Sequence, residues 1–130
     1  MDIATVYEQL DLLANATSVQ ATEEIIELFL KNTPSRVANM REALDHLDFV
    51  LIKNIAHQMK SSCGYLGLQD LQETFVQIET NANAKDFSHF DRYKSLLESQ
   101  FAQGSSFLRQ YLEQGKQERR ASAYDTSLSH

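Results

Sequence analysis

The chain has 130 residues, 42% of them hydrophobic, with 18 acidic and 12 basic side chains and a formal net charge of −6. That is the size and balance of one globular domain, able to bury a core without disulfide or metal staples. The acidic excess argues against a general nucleic-acid binder, which needs cations to displace counterions.

Ile3, Val6, Tyr7, Leu10 and Leu13 recur at helical spacing and predict a first helix over residues 1–13. Asn15, Thr17 and Ser18 interrupt it. Thr22 is the expected cap of a second helix, with Glu23 and Glu24 in its first turn and Ile25, Ile26, Leu28, Phe29 and Leu30 along it. Thr33-Pro34 reads as an N-cap followed by proline at the first helical position. A third helix then covers residues 34–46, with Val37, Met40, Ala43, Leu44 and Leu47 on or near one face. Asp48 can cap a fourth helix that runs to Cys63, and Gly64-Tyr65-Leu66-Gly67 predicts a break or kink. The fifth helix carries Leu68, Leu71, Phe75, Ile78 and Ala82, and a polar turn follows over residues 81–86. Phe87, Phe90, Tyr93, Leu97, Phe101, Leu108 and Leu112 define a last helix of roughly 25 residues.

From Glu113 the apolar periodicity stops, and residues 113–130 are expected to be a disordered tail. A competing expectation is that Arg119 and Arg120 fold back on the acidic surface. One proline and four glycines are too few turn residues for a β-sandwich. The fold class is all-α: an up-down-up-down four-helix bundle with one or two additional N-terminal helices, in a single domain over residues 1–112. No apolar run reaches the roughly 20 residues that span a bilayer. Met1-Asp2-Ile3-Ala4 lacks the pattern of a signal peptide. A cytoplasmic protein with no membrane partner is expected.

Residues 55–68, Ile-Ala-His-Gln-Met-Lys-Ser-Ser-Cys-Gly-Tyr-Leu-Gly-Leu, carry the chemistry. At about 100° per residue, Leu51, Ile55, Met59, Ser62 and Leu66 form the inward stripe, and His57 falls about 200° from Ile55, on the opposite face. Lys53, Lys60 and Gly64 share that face, with Val50 and Ser61 beside it. A neutral imidazole is a good nucleophile near pH 7. Lys60 at i+3 and Lys53 at i−4 can each reach an anion bonded to the ring. Small Ser61 and Gly64 leave room for another protein's active site, with Val50 at the edge of the same face. Cys63, the only cysteine, is expected as a small buried hydrophobe, with neither disulfide nor cysteine-based zinc open to it.

His57-x-x-Lys60-Ser61-Ser62-x-x-x-Leu66-Gly67-Leu68 resembles the signature of histidine-containing phosphotransfer (HPt) domains, which is His-x-Leu-Lys-Gly-Ser-Ser/Ala, a small-residue stretch and Leu-Gly-Ala. Phe29-Leu30 before a proline, Leu44, Asp48, Leu71 and Glu79 also sit where the family places similar residues, so the resemblance covers about residues 22–112. Met59 stands for the common Leu, Ser61 for Gly and Leu68 for Ala. The resemblance implies a phosphorelay intermediate, with His57 phosphorylated and Lys60 and Lys53 stabilising the phosphoryl group. Its partners would be receiver domains of hybrid sensor kinases and response regulators, with Mg²⁺ supplied by the receiver. Such a protein is a phosphohistidine carrier, not an autonomous kinase, and no Walker or Rossmann glycine motif is present. No carboxylates are spaced for a metal, and His46 and His89 are too far from His57 in sequence to suggest one; neither metal nor cofactor is expected. His130 falls in the tail. The exposed active face favours a monomer. The alternative is a helical binding module that docks on a receiver or sensor kinase and regulates it without carrying phosphate.

Overall fold

Asp2 accepts the amide of Ala4 and Ser18 that of Ala21, and these caps start α1 (Ile3–Ala16) and α2 (Val19–His46). Asp48 accepts the amide of Leu51 and starts α3 (Phe49–Tyr65). The computed structural model, which describes residues 1–128, is completed by α4 (Gln69–Asn83) and α5 (Phe90–Leu128). His130 lies outside the described residues.

The helices α2, α3, α4 and α5 form the up-down-up-down bundle, each packing on its two neighbours in the ring. Ile26, Met40, Leu44, Ile52, Met59 and Phe75 are among the side chains that fill its core. The closest association is between α3 and α4. Helix α1 is the single additional N-terminal helix and buries Val6, Leu10 and Leu13 at one end. Gly67 forms the bend from α3 to α4 at φ +77°, a left-handed conformation that closes α3 through a Leu68 N–H bond to the Cys63 carbonyl. A Cβ there would lie 2.7 Å from Cβ of Gln9, so the bend also seats α1. Among the described residues no helix is long and apolar enough to cross a membrane.

Two expectations are corrected. The second and third predicted helices are one: α2 continues through Pro34, and its cap is Ser18, not Thr22. Thr22 and Thr33 are both buried, facing inward with Ile26, Phe29, Val37, Met40 and Leu44. Proline removes one N–H and bends a helix, which is tolerable here because Pro34 lies on the exposed face, where the freed carbonyl can meet water. The second correction concerns the tail. Helix α5 does not stop at Leu112 but continues through Leu128. Residues 113–121 are rich in Glu, Gln, Lys, Arg and Ala, all good helix formers, so the helix outlasts its apolar stripe. The chain does not fold back: Arg119 stays on α5 and reaches the neighbouring α2, where its guanidinium meets both carboxylate oxygens of Glu23, at 2.9 and 3.1 Å.

Candidate functional site

Ile52, Ala56, Met59 and Cys63 are the buried residues of α3, followed by Leu66 at its end. The inward stripe is thus rotated by about 60° from the expected one. Leu51 is exposed, Ile55 and Ser62 are half-buried, and Met59 and Leu66 are common to both. The rotation leaves His57 facing outward, with 71% of its side chain exposed. Cys63 is fully buried, and burial pushes its thiol up to about 12.

The anchor of the site comes from the neighbouring helix. Glu79 of α4 holds Oε2 3.3 Å from Nδ1 of His57 and Oε1 2.8 Å from Nζ of Lys60. The Lys60 ammonium, hydrogen-bonded to it, holds the Glu79 carboxyl below its ordinary range, and His57 adds to the effect. A carboxylate at Nδ1 favours the tautomer that carries its proton on that atom. The lone pair is then on Nε2. A single residue of α4 therefore orients the ring and holds an ammonium group one turn along α3.

The other expected residues have separate places. Lys53 is half-buried, and among the described residues it has no ion-pair partner. Ser61 is exposed and lies on the rim of a groove of about 440 Å³ between α2 and α3, shared with Leu28, Asn32, Arg36 and Tyr65. Val50 is 67% exposed, two turns before His57. Gly64 does not leave open space. The side chain of Gln72 crosses α3 there, and its amide donates to the Lys60 carbonyl at 3.1 Å. Gln72 has no place in the sequence reading, and Glu79 enters it only as a match to the family pattern after the motif, not as a partner of His57. That match was the signal for Glu79. Among the described residues no three His, Cys, Asp or Glu side chains come together as a metal site.

An exposed, carboxylate-backed histidine with a lysine beside it can take an electrophile and offset its charge. Among curated proteins and among solved structures, nothing matches the chain. The family model of the Hpt domain matches residues 24–118, which takes in α3, α4 and most of α2. The chain therefore belongs to the Hpt domain family, whose members carry a phosphoryl group on a histidine between receiver domains, and it is a phosphorelay intermediate.

Proposed function

We propose that Nε2 of His57 is the atom that takes the phosphoryl group. The observation that supports it is the Glu79 carboxylate at Nδ1 of a ring that is otherwise exposed. The Nε2 lone pair attacks the phosphorus of a receiver's aspartyl phosphate. An N–P bond forms, the P–O bond to the aspartate breaks, and the aspartate leaves as a carboxylate. No proton has to move, because Nδ1 keeps its hydrogen. The phosphorylated ring is then cationic, and Glu79 faces that charge. Lys60 can turn from Glu79 to the phosphoryl oxygens, while Lys53 is the more remote cation. In-line placement and charge compensation dominate such transfers. The divalent ion belongs to the receiver in this reading, and this chain supplies nucleophile and cations.

The partners are receivers of a hybrid sensor kinase and of a response regulator, met one at a time by a monomer. Leu28 and Tyr65 are large and exposed on the groove beside Ser61, and Val50 is exposed two turns before His57 on the same helix face. These give a receiver an apolar seat around the ring. The segment through Leu112 is the transfer unit, and residues 113–128 extend α5 beyond it.

The test is transfer of radiolabelled phosphate from a phosphorylated receiver. The unsubstituted chain takes acid-labile label, and His57→Gln folds and takes none. Undiminished labelling of His57→Gln would assign the phosphoryl group elsewhere. Normal receiver binding with no labelling of either protein would favour the non-phosphorylated binding module.

A further inference from the structure

Two contacts between α3 and α4 share one register. His57 meets Glu79, and Gly64 meets Gln72. From His57 to Gly64 the chain advances seven residues (64 − 57), and from Gln72 to Glu79 it advances seven (79 − 72). The helices run in opposite directions, so the same offset on both is what antiparallel neighbours require. Seven residues bring a helix back to the same face about 10 Å along its axis.

The Gly64–Gln72 contact is a close one. A Cβ on Gly64 would stand 2.2 Å from Nε2 of Gln72 and 3.0 Å from its Cδ. Only glycine lets the Gln72 amide lie against α3 and reach the Lys60 carbonyl, at 3.1 Å. That carbonyl belongs to the residue whose ammonium holds Glu79. The amide and the carboxylate of α4 therefore grip α3 at the same residue, one by its backbone and the other by its side chain. Displacing α4 by one helical turn, about 5.4 Å, would carry Glu79 out of reach of both His57 and Lys60.

We infer that Gln72 is a positioning residue: seated over Gly64, it fixes the register of α4 on α3 and so keeps Glu79 against His57. The inference rests on His57 being the phosphoryl acceptor for its link to transfer, but the placement of Glu79 is measurable without any donor. Gln72 touches neither the ring nor the phosphoryl group and acts through Glu79. The clash that Gly64→Ala introduces falls on the free end of the Gln72 side chain, which can swing away, so this variant folds and loses only the seat.

The experiment uses the full chain with ¹³C-labelled glutamate carboxyls, Glu79 being assigned by its loss in Glu79→Gln. Gln72→Ala, Gly64→Ala and the double variant are titrated and compared for rate of labelling by a phosphorylated receiver. In each, the Glu79 titration should move up toward the ordinary carboxylate range, and labelling should slow on the order of tenfold, the scale of a small misplacement of a reacting group. The double variant should be no worse than either single one, because all three break the same contact. Ile78→Val, a one-methyl loss on the buried face of α4, should lower the melting temperature and leave the Glu79 titration where it was. An unmoved Glu79 titration in Gln72→Ala overturns the inference, as does an equal movement in Ile78→Val. If the unsubstituted chain takes no label, the phosphotransfer reading fails, and the titrations still decide the role of Gln72.

Discussion

Glu79 holds one carboxylate oxygen 3.3 Å from Nδ1 of His57, so the ring is anchored on one side and open to solvent on the other. This arrangement separates a fixed orientation from free access. A receiver can approach Nε2 without displacing the group that orients it.

Removing either charge beside the ring should be felt in transfer. Lys60→Ala should weaken the phosphorylated state by about 1–3 kcal/mol, the scale of a charge-assisted contact. Lys53→Ala should do less. The labelled fraction at equilibrium with a phosphorylated receiver measures both. Equal and negligible effects would mean that the receiver supplies all the needed charge.

Acid should remove a part of the stability that depends on Glu79. Its carboxyl is held low in the folded chain by Lys60. A group lowered by folding stabilises the native state above its unfolded value, about 4.3 for glutamate. That contribution is lost as pH falls through the folded value. Urea denaturation from pH 7 to pH 3 should show it. Glu79→Gln should be less stable at pH 7 and should lose less on acidification. Parallel pH profiles for the two proteins would contradict this.

Cys63 should resist thiol reagents in the folded chain, since it is fully buried and its thiol is pushed up to about 12. Modification should become fast only in denaturant. Cys63→Ala keeps a small apolar group there and should be mild, whereas Cys63→Ser buries a hydroxyl and should cost about 1–3 kcal/mol in a denaturant melt. Rapid native-state modification would show that the α3–α4 interface opens readily.

A chain ending at Leu112 should melt within a few degrees of the full chain and accept phosphate at a similar rate. It keeps Tyr111, whose hydroxyl donates to Asp11, and loses the Arg119–Glu23 pair. Arg119 is half exposed and Glu23 mostly buried, so losing this two-pronged pair should cost about 1 kcal/mol, the upper end for exposed pairs. If the arginines instead steer receivers, truncation should slow transfer mainly at low salt.

The outward placement of His57 was legible because the exposed face of a helix follows from its own periodicity, and a rotation of the stripe was too small to reverse it. Glu79 and Gln72 were not legible as partners of α3. Their positions depend on the register between two antiparallel helices, which neither helix encodes by itself. In α2 the needed signal was present. Thr22, Ile26, Phe29, Thr33, Val37, Met40 and Leu44 keep one unbroken spacing of three and four, but treating the two threonines as caps hides it. The end of α5 was missed for a different reason. Apolar periodicity reports which helical residues are buried, and a solvated helix has none to show.

The seat that Gly67 gives to α1 bears on where this domain begins. The family match starts at residue 24, so a boundary drawn from it leaves out all of α1. Yet Gln9 and Val6 rest against the Gly67 bend, and Leu66 and Leu68 on either side of it are buried. A chain cut at that boundary would retain every residue around His57 and still uncover the apolar end of the bundle. Its copies would then have a greasy surface with which to find one another, and self-association could be mistaken for a property of the transfer unit.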